Sequence, residues 1–350
     1  MYDNSPILMT SERLRLGVIG AGLGSAPHFR SLEELASEVD VAWIYGRNAQ
    51  RLAAAVTPAG ATKTTHLEDI LDDTSVQAVL ILTPPNTHLD MVLQVARVGK
   101  HVLVEKPLEI DLFRATALVE ACETCGVSLG VMLQHRLREA ALGLAALIKT
   151  GELGELVSAC ASVRWWRPQS YYDEPGRGTL ARDGGGVLMT QAIHTLDLLL
   201  GLIGMPERVS GHAVTSPVHT MESEDTVTAM LHYANGAVAM VQATTAAYPG
   251  YPERIELNFS LGTATLESGR LQVAFMNGKS LTLGNQEASG GGANPMGFDH
   301  AAHRAVLQDF VRAVRSGTAP SVTGRSALNV QRVIAAIMSS SQNAETVPLS

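Results

Sequence analysis

Three cysteines in 350 residues leave no material for a disulfide framework. Two of them, Cys122 and Cys125, have the CxxC spacing of a redox pair or half a zinc site, but only Cys160 remains to join them. They close an alanine-rich helical pattern just before Gly126, so free thiols packed in a helix, in a reducing cytoplasm, are expected. Charge is also sparse, at 17% of residues, with a formal net charge of −8 and no basic run. That excludes nucleic acid and an anionic membrane surface as main partners. No apolar stretch approaches the roughly 20 residues that span a bilayer. The first 12 residues (MYDNSPILMTSE) lack the charged-then-apolar layout of a signal peptide and read as a short disordered lead.

Core material, by contrast, is plentiful. Hydrophobic residues make up 46%, in a chain too long for one average core. Two domains are expected, over 13–133 and 134–350, with the last helices free to pack back on the first.

Leu14 to Ile19 (LRLGVI) reads as a buried strand. Gly20-Ala-Gly-Leu-Gly-Ser25 follows directly, then a helical pattern through Phe29, Leu32 and Leu35. Strand, glycine turn and helix form the setting of a dinucleotide fingerprint. Gly20 permits the tight turn, Gly22 lets the backbone approach a pyrophosphate, and the helix start offers free N–H groups. Ser25 stands where the pattern has its third glycine. A purely structural glycine turn fits the same residues.

A second strand, Val39 to Tyr45, ends in Gly46-Arg47-Asn48. NAD sites usually carry Asp or Glu here for the ribose hydroxyls. Gly46 instead makes room and Arg47 offers a partner for a 2′-phosphate, so NADP is expected, with NAD the alternative. The competing reading makes Arg47 a solvated loop residue.

Further strands, Val76 to Leu82 and His101 to Val104, flank a helix over 87–98. This βαβ alternation implies a parallel sheet covered on both faces. Thr83-Pro-Pro-Asn-Thr-His88 and Glu105-Lys-Pro107 then both fall at the carboxyl edge, where ligands bind in such sheets.

GVIGAGLGSAPHF, TPPNTH and EKP, in this order and spacing, resemble the glucose–fructose oxidoreductase / inositol dehydrogenase / MocA (Gfo/Idh/MocA) family. EKP is that family's most characteristic short motif. The resemblance implies cofactor contacts from Gly20, Gly22, Leu23, Gly24, Ser25, Arg47, Thr83, Pro84, Pro85, Asn86, His88, Glu105 and Lys106. It also implies a cis peptide before Pro107 that aims Lys106 into the cleft, with Glu105 pairing to a backbone or cofactor group.

After a strand at Ser128 to Leu133 the character changes. From Leu156 onward come antiparallel β runs: Leu156 to Trp166, Val209 to Val214, Glu224 to Tyr233, Ala237 to Ala246, Arg254 to Phe259 and Thr263 to Glu267. Asn235-Gly236 suits a type I′ hairpin. Two helices, His300 to Arg315 and Ser326 to Ser339, follow a glycine-rich loop over 284–297 expected to be mobile. The fold class is therefore an α/β Rossmann domain followed by an α+β domain with a large, mostly antiparallel open sheet. Family members commonly dimerise through that sheet's exposed face; the alternation at Val238, Met240 and Gln242 is compatible with a homodimer or homotetramer.

The chemically loaded segment opens with Gly184-Gly-Gly186 and continues as an apolar helix. Thr190, Gln191, His194 and Asp197 fall at helical spacings along one side. The family has a matching GGG…H..D segment, in which relatives carry Asp or Asn at the position of Thr190. Threonine cannot accept a proton at neutral pH, so acid–base work would rest on Lys106 and His194, with Thr190 and Gln191 orienting.

Removing hydride from a hydroxyl-bearing carbon needs a base for the hydroxyl proton and a cation or donor for the developing alkoxide. Lys106 and His194 suit both tasks. Trp166, Arg167 and Tyr172, with Arg136, Thr190, Gln191 and Asp197, are the candidate substrate contacts. Aromatic faces suit sugar C–H surfaces and arginines suit carboxylate or phosphate. A sugar, polyol or cyclic diol, carboxylated or nucleotide-linked, is expected; ordinary capping and cation–π contacts would explain the same residues. His300 and His303 have a metal-like spacing but no third ligand, and a helix start capped by Asp299 is expected, with no metal. Two other functions remain open on these residues: a nicotinamide-dependent glycoside hydrolase of the same fold, and a cofactor-sensing regulator.

Overall fold

The computed structural model describes residues 13–285, 291–292 and 299–349. The expected disordered lead over 1–12 and most of the expected mobile loop over 284–297 lie outside the described residues.

The first sheet has six parallel strands: β1 (Leu14–Ile19), β2 (Val39–Tyr45), β3 (Thr62–Thr64), β4 (Ala78–Ile81), β5 (His101–Val104) and β6 (Leu129–Val131), in the order β3-β2-β1-β4-β5-β6. The central strands are buried on both faces because alternate residues enter different cores. Leu14, Leu16 and Val18 join Leu32, Leu103 and Phe310 on one side, while Ile19, Ile81 and Val104 join a larger cluster on the other. Helix α1 (Ala26–Glu34) follows the glycine turn; α2 (His88–Arg97) and α3 (Leu112–Thr124) cross between later strands.

The second sheet has nine strands: β7 (Leu156–Arg164), β8 (Arg208–Val214), β9 (Thr226–His232), β10 (Val238–Thr244), β11 (Arg254–Phe259), β12 (Gly262–Glu267), β13 (Arg270–Phe275), β14 (Ser280–Leu283) and β15 (Val347–Pro348). All neighbours run antiparallel except β7 and β10, which pair in parallel. Three strands, β13, β14 and β15, extend the sheet beyond the runs expected from sequence; β13 and β14 alternate exposed residues with more buried ones.

The β9–β10 turn differs from the expected type I′. Only Gly236 has a positive φ, at 83°, and the Gly236 N–H bonds Tyr233 O while the Tyr233 N–H bonds Ala237 O. That is the pattern of a three-residue loop with a bulge at glycine, which needs a left-handed residue at one position rather than two.

Helix α4 (Glu139–Thr150) and the long apolar helix α5 (Ile193–Ile203) cover one face of this sheet. The stretch Leu180–Ile203 does reach the length and apolarity of a bilayer span, contrary to the sequence expectation, but 83% of its apolar window is buried inside the protein. It is a core element. Helices α6 (Ala301–Ser316) and α7 (Gly324–Asn343) return to the first sheet, α6 inserting Phe310 beside Leu103 and α7 packing on both α3 and β8. The two sheets therefore share a core, and the cleft between them is bounded by fixed elements.

Candidate active site

The first sheet reverses its order between β1 and β4, which opens a crevice at the carboxyl ends of these strands. Three loops meet there. Gly20 has φ of 108°, and a Cβ on it would sit 3.0 Å from the Leu82 backbone, so glycine is required for the turn. Gly22 and Gly24 have no atom within 4 Å of a would-be Cβ. Their open side, facing the first turn of α1, fits the pyrophosphate of a dinucleotide. Ser25 turns its hydroxyl back to Gly22 O (2.7 Å), closing the loop where the third glycine of the pattern would stand. Leu23 lies in the same turn. Arg47 is exposed just past β2, and Asn48 caps the following helix by accepting from Arg51 N.

The loop after β4 is rigid for a reason the sequence hid. Expected to touch cofactor, the His88 ring is instead fully buried and bonds Thr83 O (2.8 Å), Pro107 O (3.0 Å) and Leu108 O (3.1 Å). It thus ties the Thr83–Pro85 loop to the EKP loop. Burial lowers its pKa, and the Thr83 and Leu108 carbonyls oppose that shift. Thr83 and Thr87 bond each other (2.8 Å), Pro84 and Pro85 shape the turn, and Asn86 reaches Ala181 O across the cleft (3.1 Å).

The Lys106–Pro107 peptide is cis. Glu105, expected to meet backbone or cofactor, spans both possibilities differently: Oε1 meets His28 Nε2 (2.6 Å) and Oε2 accepts the Lys106 N–H (3.0 Å). Burial opposes its charge, but His28, Lys106 and His303 outweigh that and hold its pKa down at about 2. His303 lies edge-on to His28, 5.1 Å between ring centres. His300 points elsewhere, to Glu34 (2.8 Å), and Asp299 accepts from Ala301 N, so the two histidines of DHAAH share no site.

Lys106 reaches the second domain. Its ammonium donates to Thr190 O at 2.7 Å, and burial lowers its pKa, with Arg177 and Arg167 adding to the effect and Glu105 and Asp183 opposing it. The expected helical stripe is interrupted at its start: Leu188–Ala192 form a π-helical turn, while His194 and Asp197, both on α5, meet the Gln134–Leu137 turn through His135 and Arg136. The Thr190 hydroxyl is occupied with Gly186 O (2.7 Å) and the Gln191 carbonyl oxygen. Gln191 extends toward Tyr171 OH (3.4 Å). His194 faces the cleft with 7% exposure, its pKa held well below 6.5 chiefly by burial and then by Lys106.

Three residues expected at the substrate, Asp197, Arg136 and Tyr172, make structural contacts instead. Asp197 is fully buried in a bidentate pair with Arg136 (2.7 and 2.5 Å), which consumes both. Burial still holds its pKa up, to about 6. Tyr172 is buried against Thr245 (2.7 Å), and burial raises its pKa well above the ordinary tyrosine value. Its neighbour Tyr171 takes the position instead. The Tyr171 hydroxyl accepts from Arg177 Nη1 (3.0 Å), while the Arg177 and Arg167 guanidinium groups lie 4.4 and 5.6 Å from its ring centre. Arg167 is nearly buried, donating to Trp166 O (2.8 Å) and Gly292 O (2.6 Å); Trp166 stands edge-on to Tyr248.

Sequence reasoning missed Glu224. It enters the triglycine from the segment before β9: its carboxylate accepts from Gly186 N and Leu188 N, and a Cβ on Gly186 would lie 1.7 Å from its carbonyl oxygen. Gly186 is there for this approach, while Gly184, with a φ of 76°, lies against the Ile110 backbone.

A dinucleotide-shaped edge, with a lysine and a histidine at its mouth, defines an oxidoreductase of the nicotinamide-dependent class. Residues 14–133 match the oxidoreductase family with an NAD-binding Rossmann fold (GFO_IDH_MocA), and residues 142–265 match the GFO/IDH/MocA C-terminal domain. The chain belongs to the Gfo/Idh/MocA family, whose named relatives are sugar and polyol dehydrogenases acting on CH–OH groups. It is 28% identical over 341 residues to D-xylose 1-dehydrogenase (NADP(+)) 2 of Haloferax volcanii, covering 96% of this chain and 100% of that one. It is 28% identical over 276 residues to scyllo-inositol 2-dehydrogenase (NAD(+)) of Bacillus subtilis, covering 77% and 76%. Among solved structures, the WlbA dehydrogenase of Bordetella pertussis in complex with NADH and UDP-GlcNAcA superposes with a TM-score of 0.82 at 27% identity, covering 97% and 99%.

Proposed function

We propose that this protein is an NADP-preferring dehydrogenase that oxidises a secondary hydroxyl of a sugar or cyclic polyol carrying an acidic group, or reduces the corresponding carbonyl. The observation that carries the reading is Lys106, delivered from the cofactor-binding edge to Thr190 O beside His194. When bound, the nicotinamide supplies the hydride acceptor or donor. The chain's residues do the rest. Lys106, a cation at the reacting oxygen, stabilises developing alkoxide and shares its proton; His194, held neutral, accepts it. Thr190 orients the lysine through its carbonyl.

The acidic substrate is supported by the charges around the cleft. Arg167, Arg177 and Lys106 converge on one side, Tyr171 holding the two guanidinium groups in place. The acidic nucleotide sugar in the WlbA complex points the same way. NADP preference rests on exposed Arg47 beside Gly46, with no acid there to repel a 2′-phosphate. Three free cysteines are in keeping with a reducing cytoplasm. Met230, Val238 and Met240, 40–49% exposed on the outer sheet face, support association of identical chains there.

A panel of neutral sugars, inositols, uronates and nucleotide-linked uronates, assayed with each cofactor, tests the reading. Acidic substrates with NADP should give the highest kcat/KM; neutral sugars outperforming them would remove the acidic assignment. Sustained change in nicotinamide absorbance during turnover separates a dehydrogenase from a hydrolase that recycles its cofactor.

A further inference from the structure

The His194 ring does not stand alone. His135, from the turn Gln134–Leu137 directly after β6, lies against it with ring centres 5.0 Å apart and planes inclined by 31°. The two rings keep only 5% and 7% of their surface exposed. Behind His135 is a cavity of about 20 Å³, lined by His135, Arg138, Thr195, Glu253 and Ser268 among others. That is room for one water. Thr195 Oγ1, Ser268 Oγ and Glu253 Oε2 are buried with no hydrogen-bond partner, and all three belong to lining residues. Buried polar atoms around a water-sized space are satisfied by water. The cavity thus borders Thr195, next to His194, as well as His135 itself.

We propose that His135 is a positioning residue: its ring covers one face of His194, excludes water from that face and, braced by the chamber behind it, holds His194 in one orientation. This rests on the proton-accepting role given to His194 above. The groups bearing on His194 come from every side: Lys106 after β5, His135 and Arg138 before α4, and His303 on α6. Asp197, one turn along α5, is turned to Arg136, and Glu253 is paired with Arg138 (2.7 Å), so neither offers His194 a counter-charge. Burial is the largest cause of its lowered pKa. Uncovering one face readmits water and lets that pKa rise toward the ordinary value of about 6.5.

The test uses the full chain with ¹³C-labelled histidine, the His194 signal being assigned by its loss in His194→Asn. In the unsubstituted protein the His194 signal is expected to titrate well below pH 6.5. In His135→Ala it should titrate at least about one pH unit higher, whereas His135→Phe, which keeps the cover, should not. If the alanine variant does not fold, His135→Asn, a smaller cover, must show the same upward shift. A folded alanine or asparagine variant with no shift, or a phenylalanine variant that shifts equally, overturns the proposal. A loss of stability alone would lower activity without moving this titration. The acid limb of kcat/KM should move with the signal. If the signal moves and the limb does not, the shield stands and the role of His194 in turnover falls.

Discussion

The ammonium of Lys106 donates to the main-chain carbonyl of Thr190, 84 positions away in sequence, at 2.7 Å. This bond joins the cofactor-binding domain to the helix that carries His194, and it uses no side chain of the second domain. Thr190 is thus a partner of the lysine through its backbone.

It follows that the hydroxyl is dispensable. Thr190→Val should keep kcat within about tenfold, since a neutral hydrogen bond contributes only about 1 kcal/mol. Thr190→Asp places an anion beside Lys106, raising the lysine's pKa and moving the basic limb of the pH–rate profile upward. Steady-state kinetics across pH check both; a Thr190→Val enzyme inactive while folded would show that the hydroxyl is needed.

Two glycines should fail differently. Gly186→Ala drives a methyl group into Glu224 O and should lower Tm sharply or prevent folding, since the contact is with backbone. Gly22→Ala meets nothing in the protein, so its Tm should hold while affinity for the dinucleotide falls. Thermal denaturation and cofactor titration by fluorescence distinguish them.

Arg47→Ser should weaken NADP at least about tenfold and leave NAD within about twofold, because bonds to a charged phosphate contribute about 1.5–3 kcal/mol. Equal loss for both cofactors would mean that Arg47 does not read the 2′-phosphate.

Glu105 sets an acid limit. Its folded pKa of about 2 lies below its ordinary value near 4.5, so its ionised form is the one the fold favours. That stabilisation is complete above about pH 4.5 and is lost as pH falls toward about 2. Denaturant midpoints of the unsubstituted protein should decline across this window, and Glu105→Gln, less stable at pH 7, should decline less steeply. Parallel curves would contradict the assignment.

Much of the site was legible because it depends on local backbone. Glycines after a strand, TPPNTH and EKP each act where they stand in sequence, and all reach the same sheet edge. What was hidden depends on contacts between distant segments. His88 looks like a loop ligand until Pro107 and Leu108 are seen to cover it. Tyr171 and Tyr172 are adjacent and alike; only Thr245, far along the chain, makes the second structural. Asp197 keeps its helical spacing from His194, but Arg136, distant in sequence, takes up its carboxylate. The triglycine gave no sign in sequence that Glu224 would press against Gly186. In the second sheet the alternation gave most strands; β13, β14 and β15, short and near the sheet edges, were not read as strands.

The central claim is that Lys106 handles the substrate oxygen and its proton. Lys106→Met, assayed with NADP bound and the best substrate of the panel, measures it most directly. The account predicts a fall in kcat of about 10²–10⁴-fold, the usual contribution of a positioned proton-transfer group, with cofactor affinity within a few-fold of the unsubstituted protein. A Lys106→Met enzyme that binds NADP and turns over at the original kcat would contradict it.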